Sequence, residues 1–153
     1  MPDAYIVALT MLSRRELSEA QIRTRLARKE FEDDAIEAAV ERLREDGTIN
    51  DRRVALAAAR LESTIRHRGR ARVLQKLRSL GIESGVAEAA VNEVFDEVDE
   101  GALLDRALER RLRGHDPKDL DEKARGRIIR GLAAQGFAID AVLRRLRRTN
   151  ADE

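Results

Sequence analysis

Arginine and lysine carry most of the chemistry this sequence can offer. Between Ser63 and Ile82 stand Arg66, Arg68, Arg70, Arg72, Lys76 and Arg78, with no acidic residue among them. A second concentration runs from Lys123 to Arg148, where Lys123, Arg125, Arg127, Arg130, Arg144, Arg145, Arg147 and Arg148 face one acid, Asp140. Cations at this density suit phosphate or carboxylate, which they meet through charge-assisted hydrogen bonds. The plain alternative is a solvated helix face whose charges pair within the molecule, where each exposed pair contributes little. Six bases without a local acid favour the electropositive stripe. Acids are segregated too, since the chain from Glu83 to Asp105 holds eight carboxylates and no base. The net charge of +1 from 30 Lys+Arg and 29 Asp+Glu gives no support to binding by bulk phosphate neutralisation. Distribution, not the sum, carries the signal.

Other chemistries find no constellation. The chain has no Cys, which excludes disulfides, thiolate metal sites and a thiol nucleophile. His67 and His115 are far apart and neither has a second ligand at metal spacing, so both read as surface or hinge residues. Glu93 and Glu97 lie one helical turn apart, a weak basis for a divalent ion. Gly126-Arg127-Ile128-Ile129-Arg130-Gly131 imitates the front of a phosphate loop, but Leu132 stands where Lys is required. No serine sits in a Gly-x-Ser-x-Gly elbow. The expectation is a protein that is not an enzyme and uses no cofactor or metal. Tyr5, Phe31, Phe95 and Phe137 are the only aromatics, and core roles fit them better than stacking on bases. Contact with single- or double-stranded DNA is therefore expected to be weak and salt-sensitive. No apolar run reaches the roughly 18 residues of a membrane span, so no membrane role and a cytoplasmic location are expected.

These side chains must be held by helices. The chain is 39% charged and 42% hydrophobic with few aromatics, a composition for slim helical layers rather than a β-sandwich. Ser18-Glu19-Ala20-Gln21 has the form of a capping box, with Ile22 and Leu26 one turn apart behind it. Asp33 or Asp34 suits the cap of a helix carrying Ile36, Ala39, Val40 and Leu43, which Gly47 closes as a left-handed C-cap. Asp51 is the expected cap of a run through Arg68, stopped by Gly69. Asp116-Pro117 pairs a cap with Pro at the first helical position. Ile65, Val73 and Leu77 are expected to face inward. No stretch alternates with period two for long enough to make a strand.

The pattern repeats. Ile22, Leu26 and Phe31 lay over Val73, Leu77 and Ile82, and again over Ile128, Leu132 and Phe137. From Leu26 to Leu77 the step is 51 residues, and from Leu77 to Leu132 it is 55, the excess fitting a longer loop around 114–121. Apolar residues return at fixed distances after each motif, at Ile36, Ala87 and Val142 and at Val40, Val91 and Leu146. Gly81 and Gly136 supply a positive φ at the turn, whereas Glu30 holds that place in the first copy, so its turn either differs or is less rigid. The fold class is all-α, an elongated tandem array of three three-helix repeats with about nine helices. The expected units are 1–48, 49–97 and 98–149, with a tail at 150–153.

In order and spacing, this series resembles the RecX family, regulators of the bacterial recombinase RecA. The residues are Ala8-Leu9, Arg14-Arg15-Glu16 and Ser18, then Ile49-Asn50-Asp51, then Gly69, Val73, Leu77, Gly81 and Ile82, and finally Lys123, Leu132, Gly136 and Phe137. The resemblance spans about Ala4 to Leu146 and implies three three-helix modules with a non-enzymatic role. It further implies binding in the groove of the RecA–DNA filament and inhibition of ATP hydrolysis, strand exchange and coprotease activity. That would place the chain in homologous recombination, DNA repair and the SOS response, acting as a monomer. The basic residues from Arg66 to Arg78 and from Lys123 to Arg148 are then the expected partner-binding set. The alternative is a helix–turn–helix-like DNA-binding regulator using the basic third repeat.

Overall fold

The structure, a computed structural model, describes residues 2–151, with side chains for 2–147. Nine α-helices and no strand occur among the described residues: α1 (Ala4–Leu12), α2 (Glu19–Arg28), α3 (Asp33–Glu45), α4 (Asp51–Arg60), α5 (Arg70–Ser79), α6 (Ser84–Glu97), α7 (Glu100–Leu112), α8 (Glu122–Ala134) and α9 (Ile139–Ala151). A π-turn, Leu61–Ile65, extends α4, and a 3-10 turn, Pro117–Asp119, precedes α8. Helix α9 takes in the first two residues of the expected tail; 152–153 lie outside the described residues.

Each unit turns from its second to its third helix in the same way. Phe31, Ile82 and Phe137 donate their backbone N–H groups to the carbonyls of Leu26, Leu77 and Leu132, at 3.3, 3.3 and 3.1 Å. The preceding residues Glu30, Gly81 and Gly136 have φ of 68°, 77° and 104°. These are Schellman closures, in which a left-handed residue lets the next amide satisfy an orphan carbonyl. The first turn therefore has the common geometry, with a glutamate bearing the left-handed strain. Its anchor Phe31 is half-buried, whereas Ile82 and Phe137 are buried.

Why glycine is required in two units and dispensable in one follows from how the units join. A Cβ on Gly81 would fall on the Cβ of Ala20, and one on Gly136 would fall on Arg72, 2.5 Å from its backbone N. The second helix of each unit thus presses its first turn onto the left-handed turn of the next unit. The joint's hydrogen bonds repeat as well: Ser18 Oγ donates to Leu80 O at 2.5 Å, and Gly69 N donates to Gln135 O at 3.0 Å. Glu30, by contrast, is exposed, so its turn is not under another helix.

Burial divides the array unequally. Ile22, Leu26, Ile36, Val40, Leu43 and Ile49 form one core with Ala4, Ala8 and Leu17. The second and third units share a single larger core from Val54 to Leu146, with Leu77, Val91, Leu104, Leu132 and Phe137 inside it. The first joint is more polar. Glu19 N donates to Asp51 Oδ1 at 2.9 Å, and Arg53 pairs with Glu16 at 2.8 Å. Burial between the helices pushes the Asp51 carboxyl above its usual range, while a hydrogen bond from Arg44 holds Glu19 below it.

Several caps differ from expectation. Glu32, without a side-chain bond, precedes α3 in place of Asp33 or Asp34. Asn50, not Asp51, caps α4 by accepting from Arg53 N, which frees Asp51 to tie α4 to α2. The run that follows Asp51 stops at Ile65; His67 takes the left-handed position at φ 53°, and Gly69 instead precedes α5 as its N-cap, where the backbone of the third unit touches it. Asp116-Pro117 opens only the 3-10 turn, and Asp121 caps α8. The π-turn rotates Ile65 outward to 67% exposure, against its expected inward place, while Val73 and Leu77 are buried.

Candidate functional site: the basic surface of the second and third units

The π-turn decides what the first arginines can do. Ser63 Oγ and Thr64 Oγ1 donate back to the carbonyls of Ala59 and Arg60, at 2.7 and 2.6 Å, and help widen the helix there. Glu62 is carried inside, 1% exposed. Arg66 Nη1 bonds its carboxylate at 2.8 Å, and Arg68 Nε stands 3.3 Å from the other oxygen. The acid that neutralises these two bases sits one residue before the acid-free run. Arg66 and Arg68 are thus partly committed to the fold.

Farther along α5 the bases are positioned by neutral groups. Arg70 Nη1 donates to Asn92 Oδ1 at 2.5 Å, with its guanidinium 5.4 Å from the centre of the Phe95 ring. Arg72 Nη1 donates to Gln75 Oε1 at 2.8 Å. Lys76 is half-buried and Arg78 exposed. Phe95 is itself buried, and Tyr5 is bonded to Asp46 and covered by Arg42, so neither ring is a free platform for a base.

Helix α7 brings in arginines that the sequence reading missed. Arg106, Arg110, Arg111 and Arg113 fall within eight residues, with Glu109 their only acid. Their proximity in sequence was the available signal, and acids at 105 and 109 interrupted it. In the structure, Arg110 and Arg106 stand near enough to His67 to help lower its pKa, after burial as the larger cause. His67 is locked in place by Gln135 Nε2, which donates to its carbonyl at 3.1 Å, and its Nδ1 is buried without a partner. Beside it a cleft of about 740 Å³ is lined by Arg110, Arg111, Arg113, His115 and Arg127 together with Asp119 and Asp121. Arg111 reaches across to Gly131 O at 3.1 Å, which a side chain at position 131 would block.

The remaining expected residues do not converge on that cleft. Lys123, Arg125 and Arg130 lie on α8, with Arg125 half-buried and the other two exposed. Arg144 and Arg145 line a separate hollow of about 470 Å³ beside Phe137, and Arg145 Nε pairs with Asp105 at 3.0 Å. Arg147 is exposed, and the side chain of Arg148 lies outside the described residues. Glu93 and Glu97 are engaged by Arg52 and Arg60 at 3.1 and 3.8 Å, and no group of metal-ligand side chains occurs among the described residues. No described helix is long and apolar enough to cross a membrane.

This arrangement has known counterparts. The family model for the first three-helix domain of RecX matches residues 4–43. The regulatory protein RecX of Syntrophotalea carbinolica is 39% identical over 137 residues, 89% of each chain. The chain belongs to the RecX family. RecX of Trichlorobacter lovleyi is 31% identical over 143 residues, covering 92% of this chain and 91% of its own. The crystal structure of RecX from Lactobacillus salivarius shares the fold, with a TM-score of 0.80 over 94% of both chains at 21% identity. The two sequence relatives are named regulatory proteins, and the crystal structure shares this all-α array.

Proposed function

We propose that this chain inhibits the RecA recombinase by lying in the groove of the RecA–DNA filament. A rod spanning neighbouring protomers resists their relative rotation, which hinders ATP hydrolysis, strand exchange and coprotease activity. It acts in the cytoplasm as a monomer, without cofactor or catalytic step. The observation that carries this reading is the cleft where Arg110, Arg111, Arg113 and Arg127 converge, outnumbering Asp119 and Asp121, with Arg110 and Arg106 also acting on His67 of the second unit. A shared core keeps cations in register, and a preset array of cations meets a polyanionic surface with less ordering cost. The helix–turn–helix alternative is less well supported, because in its recognition helix α9 the Arg145 side chain is held by Asp105.

The test reverses Arg110, Arg113 and Arg127 to Glu and measures inhibition of filament ATPase at several salt concentrations. These positions avoid Arg66, whose reversal would set a second carboxylate against buried Glu62. Inhibition should weaken about tenfold or more, with a flatter salt dependence. A folded triple variant that inhibits like the parent overturns the reading.

A further inference from the structure

Helix α1 is anomalous in this chain. Its nine residues, AYIVALTML, carry no charge, in a sequence that is 39% charged. A helix apolar on every side is expected to be covered on every side. Ala4 and Ala8 are buried against α2 and α3 and Tyr5, Val7, Leu9, Met11 and Leu12 are partly buried on the same core, yet Ile6 stays 50% exposed. Ile6 and Met11 line the floor of a groove of about 740 Å³ between α1 and the end of α2. Its rim carries Arg14, Arg25, Arg28 and Lys29, and no acid lines it. Among the described residues none of these four has an ion-pair partner, whereas in the same unit Arg23 is held by Glu19 and Glu37 and Arg44 by Glu19.

We propose that this groove docks an acidic amphipathic helix of a partner protein. An apolar floor with a one-sign rim is the complement of an apolar helix stripe flanked by carboxylates. Each part of the occupant answers one part of the groove: leucine-like side chains cover Ile6 and Met11, and glutamates meet the four cations. Nucleic acid matches the rim but not the floor, which offers no aromatic ring for a base. An anionic bilayer takes up an apolar helix face that can insert into it, whereas Ile6 and Met11 lie within a groove. The surface lies on the first unit, whose core is separate from that of the other two.

The test uses the full chain and a fluorescein-labelled 18-residue peptide with Leu at helical i, i+3, i+4 and i+7 spacing and Glu on the flanks. A scrambled peptide and one with Lys for every Glu are the controls. Anisotropy should show saturable binding of the acidic peptide, at least about tenfold tighter than either control. Circular dichroism should show the peptide gaining helix on binding. Ile6→Lys and, separately, Arg25→Glu with Arg28→Glu should each weaken binding about tenfold, with Met11→Glu as a second floor variant if Ile6→Lys does not fold. The proposal is overturned if the acidic peptide binds no better than the controls, or if folded variants bind it like the parent. It is also overturned if single-stranded DNA or vesicles of anionic lipid bind in an Ile6-dependent way while the peptide does not. Dimers in sedimentation that Ile6→Lys dissociates would assign the groove to a second copy and overturn it likewise. Filament inhibition by the Arg110/Arg113/Arg127 variant is read separately, so either proposal can fail alone.

Discussion

The joint between the first two units makes a quantitative prediction. Gly81→Ala forces a Cβ into a left-handed turn at φ 77° and onto the Cβ of Ala20. The backbone conformation costs about 1–2 kcal/mol, offset by about 0.4–1 kcal/mol because alanine restricts the unfolded chain. The overlap adds about 1–3 kcal/mol, because the Ala20 Cβ is fixed to the first turn of α2 and yields only if the units separate. The single variant should therefore lose about 1–4.5 kcal/mol. Ala20→Gly alone should cost about 0.5–1 kcal/mol as a glycine in a helix. Together the two changes remove the overlap and leave only the backbone costs, so the double-mutant cycle should show a favourable coupling of about 1–3 kcal/mol. Urea unfolding followed by circular dichroism measures all four corners. Additivity within about 0.5 kcal/mol would refute the reasoning, since it would mean that α2 does not bear on the turn of the second unit.

Three further outcomes are expected. Glu30→Gly removes left-handed strain at an exposed position, and should stabilise the chain by up to about 1 kcal/mol in a thermal melt, unlike any change at Gly81. Glu62→Gln should destabilise by about 1.5–3 kcal/mol by weakening the charged hydrogen bond from Arg66 and the ion pair with Arg68 at a buried group, yet release both arginines. Binding to an oligonucleotide should then tighten and its salt dependence steepen. Burial first, then Arg110 and Arg106, holds the His67 pKa below its usual 6.5 in the folded chain. The unfolded chain therefore takes up the proton first, and stability present above pH 6.5 should decline as pH falls from there through the folded pKa. Anion binding should change oppositely, because a nearby phosphate favours protonated His67. His67→Asn, which tolerates the left-handed backbone, should flatten both profiles in melts and binding titrations.

The sequence by itself determined the helices, the three-fold repeat and the turn anchors Phe31, Ile82 and Phe137. Those features rest on hydrogen bonds that close within six residues, such as Phe137 N to Leu132 O, so their chemistry is written in adjacent side chains. Cap positions slipped by a residue where a second task competed, as when Asp51 turned to the backbone of Glu19 and left Asn50 to cap. Tertiary structure decided the rest. Gly81 and Gly136 look like turn residues in sequence; only the neighbouring unit shows that they also admit another helix, whereas Glu30 is exposed. The acid-free run from Ser63 onward looked unopposed until the π-turn folded Glu62 beneath Arg66 and Arg68. The arginines of α7 joined Arg127 across an inter-helix cleft that no linear spacing encodes. Charge acts through space and falls off with distance, so its meaning waits on which chain segments are brought together.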